Sequence, residues 1–491
     1  VAKLTKKAEK QIGEYLESME HEQLVAEVMD RVADDPAYAR SMTIRAGKAS
    51  GNIDPAVYRR AIADALRSGS AARRDRPRTS GRWANDVLDA IDPVVALLDD
   101  GQPDVVIGIC EYALGRVEKL MERVDDSSGW LGEVIGQLEI THLRACQAGS
   151  PDPVKLAQRL FVWDAESGWD IFAGYVEKYQ DVLGPDGLAE VQRLATEFWD
   201  GLPEPTGHGF DRAPGAFRVG NTLRELADVA GDVDTKVQVM SRELTHPYHF
   251  LKIAEVLTDA GRDDDALAWA ERGLDVDHEV AHMRSDKRVD DFVLERYVAD
   301  DRGDEAMSLL WRRLAATATT ESYARLKHWA ERLGEWDRHH GDALDAVRSY
   351  ADTLASEPPS NVLLQSMRIR PPSHDSLIGA HVIDGDLDAA WDAADEHGCS
   401  RQAWRTLADA SRTDRPLDAA LVYQREVEEL IDRKSTHSYE DAVTRIEDLA
   451  NLYLLADRHD RFAEFVDSLR TQHAAKRKFI AILDAADIDH V

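Results

Sequence analysis

Between Leu24 and Val32 the apolar residues Leu24, Val25, Val28 and Val32 recur at spacings of three and four, which places them on one face of a helix. That periodicity dominates nearly every patterned segment. Asp54-Pro55 and Asp152-Pro153 each set an N-cap side chain before a proline at the first helical position, where a missing N–H costs nothing, so both predict helix starts. Sustained alternation of β-branched residues between Asn-Gly or Asp-Gly turns does not occur, and strands are not expected. The predicted fold class is all-α.

Two polar stretches interrupt the periodicity. Residues 69–82 are aperiodic and locally basic, with Arg73, Arg74, Arg76, Arg78 and Arg82, as expected of an exposed loop. Residues 201–216 carry Pro203, Pro205, Gly207, Gly209 and Pro214 and read as a linker. The expected organisation is a helical segment over 1–68, the basic loop, a helical domain over 83–200, the linker, and a repeat domain over 217–491. Gly184-Pro185, Pro358-Pro359 and Pro371-Pro372 punctuate the helices within the halves.

The second half repeats. Phe250, Ile253, Ala254 and Leu257 are followed by Gly261 and then Ala266, twelve positions after Ala254. This is the tetratricopeptide spacing, in which a small residue on one helix meets a small residue on the next. The reason is steric, because two helices of a hairpin approach closely only where neither interposes a bulky side chain. Trp404, Leu407, Ala408 and Ser411 repeat the first-helix pattern, with Ala420 again twelve residues after Ala408. Ile446, Leu449, Ala450 and Tyr453 show that pattern alone, and weaker copies lie at Tyr297 with Ala306 and at Gly385 with Ala390. The repeats are degenerate and unequal in length, so the expectation is an α-solenoid of helical hairpins, tetratricopeptide-like in the C-terminal half. A non-repetitive bundle with the same spacings is the alternative.

Several segments together resemble a known family. They are Val124 to Gly132, with Asp125-Asp126-Ser127-Ser128-Gly129-Trp130; Leu156 through Gly168-Trp169-Asp170 to Gly184; Tyr248-His249-Phe250-Leu251 through Gly261 to Leu274; and Ser438-Tyr439 to Lys478. The chain resembles the large helical region of bacterial SWIM zinc-finger proteins over roughly residues 20–485. The family's finger, C-x-C followed by C-x-H, does not occur in this sequence, so its zinc and nucleic-acid roles do not carry over. The resemblance further implies association with ATPase and von Willebrand-type partner proteins.

Composition narrows the function classes. The 92 Asp and Glu against 60 Lys and Arg give a formal net charge of −32, which argues against a body that wraps nucleic acid. Cys110, Cys146 and Cys399 stand far apart, so neither a disulfide framework nor a thiolate zinc site is indicated; they read as buried small hydrophobes. No apolar run approaches the length of a membrane span, and no secretory pattern follows Lys3, Lys6, Lys7 and Lys10. A cytoplasmic location is expected.

Candidate chemistry is sparse. His278-Glu279-Val280-Ala281-His282 is a literal H-E-x-x-H, suited on a helix to a Zn²⁺ with Glu279 as general base, but it falls where a connection between repeats is expected. Asp125 and Asp126 lack the ligand spacing of a calcium loop, and a serine cap on the helix containing Trp130 explains the turn more simply. The arginine cluster beside Trp83 is the best nucleic-acid candidate, with a contact to acidic protein surface as the competing reading. Phe161, Trp163, Trp169, Phe172, Tyr175 and Tyr179 read as core before they read as a ligand groove. His142, His249, His339 and His340 have no nearby Ser or Cys at a recognisable catalytic spacing.

The resulting expectation is a non-catalytic protein-interaction scaffold, with no assigned catalytic, cofactor or metal residue, binding a protein partner that the resemblance places in an ATPase-associated complex. The alternatives are a zinc hydrolase using His278, Glu279 and His282, and a nucleic-acid-associated regulator. Elemental analysis decides the zinc reading: stoichiometric zinc lost on His278→Ala supports it, and trace zinc unchanged by that substitution excludes it.

Overall fold

The computed structural model describes residues 5–50, 53–72, 80–123, 129–203, 214–242, 244, 246–276, 286–356, 373–486 and 488. Among them there are 24 helices and no strand. The chain divides into two compact units, residues 1–290 and 291–491.

The first unit contains α1 (Lys6–Glu17), α2 (His21–Asp34), α3 (Pro36–Ala49), α4 (Pro55–Ala72), α5 (Ser80–Asp99), α6 (Pro103–Met121), α7 (Trp130–Gly149), α8 (Pro153–Glu166), α9 (Tyr175–Asp200), α10 (Ala216–Ala230), α11 (Val233–Met240), α12 (Pro247–Asp259) and α13 (Asp263–Leu274). Both predicted proline starts are present. Asp54 Oδ1 accepts the Ala56 N–H at 2.9 Å, and Asp152 Oδ1 accepts those of Val154 and Lys155 at 3.0 and 3.1 Å. Gly184, with φ +54° and ψ −171°, breaks α9 just before Pro185, where the sequence predicts punctuation.

Two boundaries differ from expectation. Helix α4 runs on to Ala72 and α5 begins at Ser80, so helix enters the predicted loop over 69–82 from both ends. The Pro/Gly-rich stretch over 201–216 does not end a core: Val219, Leu223 and Leu226 of α10 share one buried cluster with Leu114, Leu138, Leu160 and Tyr179 of α6 to α9. Proline and glycine mark the loss of helix, whereas burial depends on what the next helix packs against.

The division between units falls within α14 (Lys287–Ala299). The second unit continues with α15 (Gly303–Ala316), α16 (Thr320–Leu333), α17 (Trp336–Ser356), α18 (Asp375–Asp384), α19 (Leu387–His397), α20 (Arg401–Ala410), α21 (Pro416–Asp432), α22 (Thr436–Leu455), α23 (His459–Gln472) and α24 (Arg477–Ala485). In each unit the substantial helix packing joins helices one or two places apart in this order, the nearest-neighbour logic of an α-solenoid.

The predicted small-residue crossings are buried. Ala254 and Ala266, Ala306, Ala390, and Ala408 and Ala420 are all fully inaccessible. Gly261 sits in the left-handed region at φ +71°, turning α12 into α13. Gly273 shows how close these two helices lie, since a Cβ there would meet Phe250 Cβ at 2.8 Å. Gly273→Val is therefore expected to destabilise the α12–α13 hairpin by about 1–3 kcal/mol, seen as faster hydrogen exchange in both helices. Exchange as slow as in the wild type would show that the hairpin is not packed at this distance.

Candidate functional site

The hairpin of α20 and α21 presents a groove toward solvent. On α20, Arg401, Trp404 and Arg405 recur at spacings of three and four, and on α21 Val422, Arg425, Glu429 and Arg433 do the same, so each set forms one stripe. The opposite faces are anchored inside: Leu407 and Ala408 from α20, and Tyr423, Val427 and Ile431 from α21, are buried. Between the stripes lies a cavity of about 420 Å³ lined by Arg401, Trp404, Arg405, Arg425 and Arg433 among others. A second cavity of about 450 Å³ shares Arg405, Glu426 and Arg433 with it and extends to Thr444, Arg445 and Asp448 on α22. The two form one groove across three consecutive helices.

Its electrostatics depart from those of the acidic chain. Arg401 pairs with Glu429 at 3.0 Å, and Arg405 with Glu426 at 3.2 Å. Arg445 holds Glu426 at 3.1 Å and Asp448 at 2.7 Å. Those pairs occupy the nearby glutamates. Arg425 and Arg433 have no carboxylate partner among the described residues, and Arg425 lies 5.8 Å from the ring centre of half-buried Trp404. Trp391 supports the indole from below at 5.6 Å, and its own N–H donates to buried Ser411 Oγ at 2.9 Å.

Residues 14–481 match the model of a family of unknown function, DUF6880. The chain belongs to the DUF6880 family. No curated protein matches it. Among solved structures it is similar to yeast Tom70, at 13% identity over 96% of this chain and 97% of that one, with a TM-score of 0.23. It is also similar to the human IFIT1 dimer with m7Gppp-AAAA, at 13% identity over 88% and 95% with a TM-score of 0.22. A circular tandem repeat protein aligns at 13% identity over 89% and 95% with a TM-score of 0.16. TM-scores this low carry no argument about arrangement or function. The comparisons show DUF6880 membership and no link to the SWIM zinc-finger proteins.

Most of the sequence-derived candidates in this DUF6880 protein lie outside the described residues: His278, Glu279 and His282; Asp125, Asp126, Ser127 and Ser128; and Arg73, Arg74, Arg76 and Arg78. The helix containing Trp130 has Gly129 as its N-cap, in the left-handed region and without a side-chain hydrogen bond, in place of the expected serine cap. Among the described residues no group of three or more His, Cys, Asp and Glu is placed to hold a metal ion. No helix among them is long and apolar enough to cross a membrane.

The aromatic run is core, as its composition suggests. Phe161, Phe172, Tyr175 and Tyr179 are buried, half-buried Trp163 packs against them, and Trp169 is exposed. Phe172 takes the left-handed φ of +61°, and Glu139 accepts its N–H at 2.7 Å, which holds this costly conformation in place. His142 does have a cysteine neighbour, contrary to expectation. One helical turn along α7, Cys146 Sγ lies 3.7 Å from Nδ1, which also meets Tyr179 Oη at 2.9 Å. Spacing of i and i+4 on a helix was the available signal. Burial pushes the Cys110 and Cys146 thiols up to about 12, so both stay protonated and unreactive at neutral pH.

A second polar network joins α16, α17 and α18. Asp384 accepts hydrogen bonds from Tyr323 Oη, from Lys327 Nζ at 3.0 Å and from His340 Nε2 at 2.8 Å. Burial raises the pKa of this carboxyl, but the three hydrogen bonds and the lysine charge outweigh it and hold it below the usual range. With its folded pKa below the unfolded one, Asp384 contributes stability above the unfolded value, lost as pH falls through the folded value. Asp384→Asn is expected to cost about 1–3 kcal/mol at neutral pH, measured by urea denaturation, with the difference shrinking in acid. An equal loss at neutral and acid pH would contradict this account of the network.

Proposed function

We propose that this DUF6880 protein is a protein-interaction module whose second unit binds a segment of a partner protein along the groove of α20, α21 and α22. The observation that carries the reading is the continuity of that groove over three successive helices, with an accessible indole and unpartnered guanidinium groups set on a rigid, small-residue hairpin. Trp and Arg are the side chains that concentrate binding energy at interfaces, and a preformed groove spares the partner an ordering cost on this side. The sequence resemblance to SWIM-associated helical regions agrees with such an adaptor role, and the partner's membership of an ATPase-associated complex belongs to the same proposal. Networks that could be mistaken for catalytic groups are turned inward: His142 is 1% exposed, and its sulfur neighbour, Cys146, is a thiol that burial keeps protonated.

A photo-reactive amino acid placed at Gln402 tests the reading in living cells of the source organism. The expected result is one reproducible cross-linked partner, absent when the probe is moved to the exposed Leu455 of α22, which lines neither cavity. Identical products from both positions, or none from Gln402, would refute it.

A further inference from the structure

We propose that the occupant of the groove is an acidic segment of the partner, with two carboxylates flanking an apolar side chain. This rests on the reading above and adds the chemistry of the ligand. In a chain of net charge −32, a surface carrying five lining arginines, Arg401, Arg405, Arg425, Arg433 and Arg445, is locally distinct. Four acids share the lining: Glu426, Glu429 and Asp448 pair with Arg401, Arg405 and Arg445, Asp441 lies 3.8 Å from His437, and Arg425 and Arg433 are left without a carboxylate partner among the described residues. A guanidinium presents a planar pair of N–H donors, and a carboxylate matches that pair with two oxygens.

Arg425 and Arg433 are eight residues apart on one stripe of α21, about 12 Å along the helix at 1.5 Å per residue. An extended peptide covers that distance in about four residues at roughly 3.3 Å each. Carboxylates at i and i+4 of an extended segment therefore span both arginines, and an apolar side chain between them, toward the Arg425 end, comes within reach of Trp404, whose ring centre is 5.8 Å from that guanidinium. The native pair of Arg401 with Glu429 does not block entry. Its side chains are 78% and 44% exposed, and pairs so open to water exchange partners at little cost. A nucleic acid carries phosphate beyond the groove in both directions, over a body dominated by carboxylates, whereas a short acidic segment ends within it.

The test is fluorescence anisotropy of the full chain with a short fluorescein-labelled peptide of glutamates spaced four apart around leucine. Its glutamine counterpart and a single-stranded oligonucleotide of equal charge serve as comparisons. The glutamate peptide is expected to bind at least about tenfold more tightly than either, and Arg425→Glu with Arg433→Glu to remove that advantage while the helical circular dichroism is unchanged. Should the charge reversal unfold the chain, Arg425→Gln with Arg433→Gln is expected to give the same loss. Equal binding of the glutamate and glutamine peptides, tighter binding of the oligonucleotide, or an affinity indifferent to both double substitutions would overturn the assignment. So would self-association of the chain that these substitutions abolish, since the groove's occupant would then be a second copy. A partner cross-linked from Gln402 together with a peptide result of that kind would sink only the acidic assignment. Failure of the cross-link would sink the interaction reading itself.

Discussion

Two helices can pack at short range only where their crossing is free of bulky side chains, and several crossings of this protein are built under that constraint. At Gly273 no side chain longer than hydrogen fits against Phe250, and at Gly379 of α18 a Cβ would sit 2.6 Å from Thr320 Cγ2 of α16. Alanines fill the same role at Ala254, Ala266, Ala408 and Ala420, all without solvent exposure. Close crossings bring the apolar stripes of successive helices together, and each helix then completes its burial against the next one or two in the chain. The outward faces are left to the charged residues. Where two of those faces meet at an angle, as at α20 and α21, a groove follows.

Interior polar contacts fix the register that small residues alone leave loose. Asp384 ties three helices of the second unit, and His142 with Tyr179 ties α7 to α9 in the first. Each replaces water by geometry-specific partners, so a slip along the helix axis would strand a buried polar group. The reward is specificity of packing between helices whose apolar surfaces are chemically alike. The −32 charge is correspondingly a property of the outer faces, and the arginine groove stands out against it.

The hairpins were legible because the spacing rule that produces them is local. Ala254 to Ala266 and Ala408 to Ala420 lie within one helix, one turn and the next helix, so no long-range knowledge is needed. Ala450 carries the first-helix pattern without a small partner, and the structure shows why: twelve residues later stands Phe462, whose ring packs on Tyr453 at 6.0 Å. Bulk is accommodated there by an aromatic contact. The groove was not legible in the same way. Its stripes, Arg401 to Arg405 and Arg425 to Arg433, are periodic in the sequence, but a charged periodic face ordinarily means only solvent. What distinguishes this one is that two such faces adjoin, and that glutamates of α21 are consumed by arginines of α20 and α22. Asp384 was missed for a related reason, since its partners Tyr323 and His340 lie 61 and 44 residues away.

The dependence of the groove on the crossing beneath it is measured most directly by hydrogen exchange on the full chain carrying Ala408→Leu. A leucine at this fully buried position pushes α20 off α21. The account predicts that amides of both helices lose protection together while α16 to α18 keep theirs. Loss confined to α20, with α21 as protected as in the wild type, would show that the groove's two walls are held independently and would contradict it.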